Sequence, residues 1–298
     1  SEIYPSAFGY MDGPARGSSE GVCAANEYRC MRGLRLRVAQ LAVFLTLLLF
    51  WFLMTEPGLI PNFYFSNPDK AAFFFGQPLK VFGVVIDWFI SGSIYKHLGI
   101  TLFETLMAFV IGTLSGLAIG LWLALSPSAA AIFDPYIKAL NSMPRVILAP
   151  IFAVWFGLGV WSKVALGVTL VFFIVFFNVY QGVREVSPTL LANARMLGAD
   201  RSALLRFVYL PSAMSWVFSS LHTSVGLAFV GAVVGEYLGS AAGVGYLILQ
   251  AEGTFDINTV FAGILVLTLF ALALDAAVTL FEKRFMRWQP RSGETEKL

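Results

Sequence analysis

Long apolar runs separated by short polar breaks dominate the chain. About 20 apolar residues carry an α-helix across the hydrocarbon of a bilayer. Six stretches suit that role: 38–54, 100–125, 129–157, 163–183, 211–236 and 259–281. The pattern predicts an all-α membrane protein with six transmembrane helices. The third stretch is the least regular, because Pro135, Pro144 and Pro150 interrupt it. A proline inside a helix removes a hydrogen bond and bends it. In a membrane such a break is tolerated only where protein or water satisfies the freed backbone groups. The run at 38–54 is too long and too far from the N-terminus for the apolar part of a signal peptide, and no small-residue cleavage site follows it. It reads as the first transmembrane helix.

The polar stretches divide the rest. Residues 1–37, rich in Gly, Ser, Ala and charge, predict a disordered tail. Residues 55–99 form an aromatic, proline-punctuated loop, "GLIPNFYFSNPDKAAFFFGQP" at its start. Within it Leu79, Phe82, Ile86 and Phe89 recur at helical spacing, with Lys80 and Asp87 between them. That stripe predicts an amphipathic helix, either lying at the membrane interface or packed on the bundle. The core then covers 100–282, and 283–298 is a basic tail. Two sets of glycines fall four apart: Gly112, Gly116 and Gly120, then Gly231, Gly235 and Gly239. Small residues at that spacing let helix backbones approach closely in lipid. They specify contact but not the partner.

Composition strengthens the membrane reading. The 298 residues are 58% hydrophobic and 13% charged, with mean hydropathy +0.76, where a soluble domain carries about 25% charge. A net charge of +2 gives no reason to expect a nucleic-acid partner. The placement of the basic residues says more. Arg16, Arg29, Arg32, Arg35 and Arg37 precede the first span; Arg184, Arg195, Arg201 and Arg206 lie around the break between the fourth and fifth; Lys283, Arg284, Arg287, Arg291 and Lys297 follow the last. With both termini inside, six spans put these fourteen on one side, against Lys70, Lys80, Lys96 and Lys163 on the other. The termini and the 185–210 stretch are thus expected in the cytoplasm. Cys23 and Cys30 lack metal-site spacing and a neighbouring histidine, and read as free thiols.

The cytoplasmic stretch has a definite local grammar. Ser187 can cap a helix and Pro188 suits its first position. Gly198 fits a left-handed C-terminal cap, and Asp200 or Ser202 can cap a second helix running to Pro211. Leu190, Leu191, Ala194 and Leu197 share one apolar face of the first helix, with Asn193 and Arg195 away from it. Such a short helix could rest on the bilayer or insert into a groove of a cytoplasmic partner.

These residues resemble a known loop. Permease subunits of binding-protein-dependent ABC importers carry the form E-A-A-x-x-x-G-x9-I-x-L-P. Here Ala192, Asn193 and Ala194 precede Gly198, and nine residues then lead to Val208-Tyr209-Leu210-Pro211. Ala192 stands in place of the usual glutamate and Asn193 in place of the first alanine. The likeness extends over roughly 76–285, where "MPRVILAPIFAVWFGLG", "GEYLGSAAGVGYLI" and "FAGILVLTLFALALD" resemble the nitrate/sulfonate/taurine branch. The resemblance implies a permease of the bacterial inner membrane that pairs with a second permease, a copy of itself. It also implies two cytoplasmic ATPases, which bind the ATP and Mg, and an external binding protein that delivers the solute. In that family the loop is a coupling helix between the fourth and fifth spans, docked in the ATPase. By the resemblance Leu190, Leu191, Ala194, Arg195, Met196, Leu197, Gly198, Ala199 and Asp200 would form the docking element. The branch moves small anions such as nitrate, bicarbonate, sulfonates and aromatic carboxylates, and also neutral heterocyclic vitamin precursors.

No P-loop, HExxH, G-x-S-x-G or paired-cysteine metal motif is present, so no cofactor is expected in this chain. Gly157 to Lys163 has the wrong glycine spacing for a P-loop, and Val164 follows the lysine. Intramembrane charges cost about 2.5–3.5 kcal/mol each on insertion scales and are functional suspects by default. Arg145, between Pro144 and Pro150 with Asn141 one turn earlier, could hold a small oxyanion by bidentate hydrogen bonds. It could equally pair with Glu104 or Glu236. Glu236 lies beside the glycine-rich "GSAAGVGY", which can line the pathway or simply connect helices. Asp134 and Lys138 are spaced to pair with each other. His97 and His222 stand alone and read as packing residues, and Asp275 as satisfying a neighbouring helix or facing a cavity. The alternative to an importer subunit is a self-sufficient secondary transporter or channel. That would need its own coupling carboxylates or histidines within the spans, and an inverted repeat, which the sequence does not display.

Overall fold

In the computed structural model residues 19–56 and 68–285 are described, and they form helices with no strand among them. The chain divides into two compact units, meeting at Pro68. In the first unit, α1 covers Ser19–Thr55. Its segment Arg35–Thr55 is long and apolar enough to cross a membrane. Leu36, Leu41, Phe44, Leu47 and Phe50 are all exposed, as suits apolar side chains of a membrane-crossing helix. The helix begins well before the apolar run. Residues 19–37 therefore extend it, where the sequence predicted a disordered tail; they include good helix formers and no proline. Residues 1–18, the side chains of Cys23 and Cys30, and 286–298 lie outside the described residues.

The second unit opens with α2 (Pro68–Phe75), α3 (Pro78–Ser91) and α4 (Ser93–Leu125). Gly92 alone separates α3 from α4, at φ +77, a left-handed conformation that glycine adopts freely. Val81 is buried and Val85 and Trp88 pack beside Ile94. The opposite stripe, Leu79, Phe82, Ile86 and Phe89, stays exposed. The helix is thus apolar on both faces, one against protein and one free. Together, Ala71–Ser91 are also long and apolar enough for a span.

The third predicted span is two pieces. α5 (Pro127–Ser142) and α6 (Ala149–Phe156), joined through a 3-10 turn at Arg145–Leu148, meet at 87°. Pro144 is the cause: it disfavours helical geometry in the residue before it, and Met143 is extended at ψ 136. Pro150 sits in the first turn of α6, where its missing N–H has no helical partner to lose.

α7 (Val160–Arg184) is the centre of the bundle. A Cβ on Gly112 would meet Val171 Cβ at 2.7 Å, one on Gly116 Val175 Cβ at 3.0 Å, and one on Gly120 Val179 Cγ1 at 3.1 Å. The pairing advances in the same sense on both helices, so α4 and α7 run parallel. The chain between them has to return to its starting end, and the bent α5–α6 pair makes that return crossing. Beyond a loop come α8 (Pro188–Met196), α9 (Arg201–Leu204), a π-turn at Leu205–Tyr209 and α10 (Leu210–Ser219). The π-turn precedes Pro211, whose ring and missing N–H would disrupt a regular ladder. A turn at Ser220 then divides the fifth apolar stretch, and α11 (Leu221–Leu238) continues it. α11 runs antiparallel to α7, with Gly231 on Gly167 and Gly235 on Lys163. The last helices are α12 (Val244–Gly253) and α13 (Ile257–Phe285). Ala108, Val171, Val175, Ala213, Val217 and Ala228 fill the main core between α4, α7, α10 and α11.

Candidate functional site

The kink between α5 and α6 carries Arg145 to the wall of a cavity of about 370 Å3. Asn141, Phe173, Phe177, Asn178, Ser219, Ser220 and Thr223 line it as well. The guanidinium of Arg145 donates through Nη2 to the side-chain oxygen of Asn141, and to its backbone carbonyl at 3.2 Å. Its Cζ lies 4.6 Å above the Phe173 ring, a cation–π contact that holds the plane of the fork. Among the described residues no carboxylate pairs with it. Its Nε is buried without a hydrogen-bond partner. The cavity thus offers a cation that is oriented but not neutralised, with amide and hydroxyl groups opposite and two phenyl rings beside it. Ser219 and Ser220 reach it because the fifth apolar stretch turns there.

Glu104 and Glu236, grouped with Arg145 in the sequence reading, sit elsewhere. They are buried with Lys163 between α4, α7 and α11. The ion pair considered for Arg145 is therefore absent. The cationic neighbour of these acids is Lys163, which the sequence set at the external start of the fourth span.

The 185–210 segment has its expected form in most details. α8 starts with Pro188 at its first position, although the Ser187 side chain makes no cap bond. Gly198 has φ +86, and Ala199 N–H bonds back to Ala194 O at 3.0 Å. Asp200 caps α9, accepting from Ala203 N–H at 2.7 Å. No residue of α8 is buried; Leu190 and Met196 project outward, and Leu197 is 89% exposed. Asp134 and Lys138 pair at 2.7 Å. His222 is not isolated: its Nδ1 lies 2.8 Å from Asp275 and its Nε2 2.9 Å from Glu282. Both carboxylates come from α13, 53 and 60 residues away, a distance no local pattern reveals.

A bundle of apolar helices, a kinked span, a polar cavity and an exposed helix–glycine–helix loop define a membrane permease. Residues 116–287 match the family described as the binding-protein-dependent transport system inner membrane component, and the chain belongs to it. A Bacillus subtilis protein named as an aliphatic sulfonates transport permease, SsuC, is 31% identical over 212 residues, 71% of this chain and 77% of its own length. The riboflavin transport system permease RibX of Chloroflexus aurantiacus is 31% identical over 243 residues, 82% and 87% of the two chains. An inward-facing structure of the MetNI methionine ABC transporter shares the fold at TM-score 0.53, with 18% identity, covering 66% of this chain and 96% of that one. The chain is an inner-membrane ABC permease, a transport subunit rather than an enzyme. Proteins of this class work with ATP-binding subunits and a substrate-binding protein.

Proposed function

We propose that the chain forms half of the membrane path of an ATP-driven importer, paired with a second copy of itself, and moves a small anion by alternating access. Sulfonates and related carboxylates are the class that best suits the cavity. The observation that carries this is Arg145, held by Asn141 and Phe173 with its Nε unused. A guanidinium is the most planar and permanent of the cationic groups and matches an oxyanion by two parallel hydrogen bonds. The relative named for aliphatic sulfonates supports the same class.

Solute arrives on an external binding protein, and work arrives from two ATPases that bind ATP and Mg. The 188–210 loop, with Leu190, Leu191, Ala194, Met196 and Leu197 on its first helix, docks to them in the cytoplasm. Both termini share that side, in keeping with the distribution of arginine and lysine. The test is to purify the protein from its native membrane in mild detergent, identify the co-purifying subunits, and reconstitute them. An ATPase and a binding protein, with anion-stimulated ATP hydrolysis that Arg145→Gln weakens, are expected. A particle of this chain alone that moves solute down an ion gradient without ATP would overturn the reading in favour of a secondary transporter.

A further inference from the structure

Three ionisable side chains are sealed at the end of the bundle opposite the 185–210 loop. Glu104 on α4 and Lys163 on α7 are 1% exposed, and Glu236 on α11 is 0% exposed. The register that sets Gly112 on Val171 and Gly116 on Val175 brings Glu104 level with Lys163 two turns earlier. Gly235 seats on Lys163 from the other side. The cluster is therefore built where α4, α7 and α11, drawn together by these glycine contacts, meet.

Each member that has partners ties down a different connection. Lys163 Nζ donates to the carbonyls of Leu158 at 2.5 Å and Gly159 at 3.0 Å, holding the link from α6 to α7. Glu236 accepts from the Thr101 hydroxyl at 2.6 Å and from Gly245 N–H at 2.8 Å, holding the first turn of α12 on α4. Thr101 accepts from Val244 N–H at 3.2 Å, and His97 Nδ1 from Gly243 N–H at 3.1 Å. Gly243 is at φ +109, and a Cβ there would lie 2.2 Å from the Glu236 carboxyl carbon. That turn can sit on the carboxylate only as glycine. Glu104 differs: its carboxyl lies in hydrogen-bonding reach of the Glu236 carboxyl, its buried Oε2 has no donor from the rest of the described protein, and Lys163 lies in electrostatic reach of both acids.

We propose that Lys163 and Glu236 are the two halves of a latch that closes the external end of the path, and that Glu104 is the vacant seat for Lys163 when the latch opens. A buried carboxyl oxygen with no cationic donor, set beside a second carboxyl, is costly, and Lys163, whose ammonium now rests on two loop carbonyls, is the cation in electrostatic reach that can relieve it. Transfer of Lys163 from the 158–159 carbonyls to Glu104 frees that loop without leaving either charge unpaired. The cluster then has two discrete arrangements, which is what a gate requires. This rests on the importer reading for its direction, but the latch itself does not depend on ATP.

The test uses the full chain with Cys23 and Cys30 replaced by serine, carrying spin labels at Leu158→Cys and Ala241→Cys, in lipid nanodiscs with its co-purifying subunits. Without ATP a single narrow distance distribution is expected. Lys163→Met and Glu236→Gln broaden it toward longer distances, and Lys163→Arg keeps it narrow. Glu104→Gln leaves the resting distance unchanged and abolishes the shift that ATP produces. Narrow distributions in both Lys163→Met and Glu236→Gln would overturn the latch. An ATP-driven shift in Glu104→Gln equal to that of the unmodified chain would overturn the vacant seat. If Lys163→Met broadens the distribution while ATP moves nothing in the unmodified chain, the latch stands and the ATP-driven importer reading fails.

Discussion

A Cβ built on Gly231 would lie 2.5 Å from the Cα of Gly167. Two glycines thus face each other where α11 crosses α7, and the backbones touch with no side chain between them. Ala108 closes the same point from α4, 2.6 Å from a Cβ built on Gly167. Nothing there can yield except main chain. Gly231→Val therefore separates α11 from α7, with a cost of about 1–3 kcal/mol or more, as for overpacked cores. Gly226, on the same helix with open space around it, serves as the control. Thermal unfolding in detergent should show a lower midpoint for Gly231→Val and little change for Gly226→Ala.

Gly198 has nothing within 4 Å of a Cβ, so its constraint is conformational rather than spatial. At φ +86 an L-residue costs about 1–2 kcal/mol, and a β-branched one more. Gly198→Val should reshape the turn between α8 and α9 while leaving membrane insertion intact. The expected result is loss of transport and of substrate-stimulated ATP hydrolysis in the reconstituted complex. Unchanged stimulation would remove the docking role assigned to this loop.

Leu197 and Met196 are among the most exposed apolar side chains of the described residues. Since they are largely free of contact with the described residues, Leu197→Asp should alter stability by no more than about 0.5 kcal/mol. It should nevertheless release the ATPase during purification, because a charge is placed where an apolar contact is proposed. Retention of stoichiometric ATPase by this variant counts against the docking face.

Arg145→Gln removes the cation from the cavity but keeps a polar side chain. Loss of a charged hydrogen bond of about 1.5–3 kcal/mol corresponds to roughly 10- to 100-fold weaker anion response. Arg145→Lys should not restore it, because a point charge lacks the planar fork that Asn141 and Phe173 orient. The measurement is the anion concentration giving half-maximal transport. An unchanged value in Arg145→Gln would show that solute passes without resting on this residue.

Much of the molecule is written in local pattern. Apolar length marks α4, α7 and α13 as candidate spans, Pro144 marks the break before α6, and Gly198 with Asp200 marks the turn between α8 and α9. Each of these depends on residues within a few positions of one another, through helix period, backbone geometry or capping. The apolar stripe of α3 was legible in the same way, but which face would meet protein was not, since Val81, Val85 and Trp88 are as apolar as Leu79 and Phe82. Only packing against α4 and α13 chose between them. The parallel register of α4 on α7, the meeting of Glu104, Lys163 and Glu236, and the bridge from His222 to Asp275 and Glu282 likewise join residues 53 to 132 positions apart. A carboxylate in a span announces that it needs a partner, because an unpaired charge in hydrocarbon is costly. It does not say which partner. That was decided by the glycine contacts, which let three backbones close to touching distance and left the acids facing Lys163 instead of Arg145.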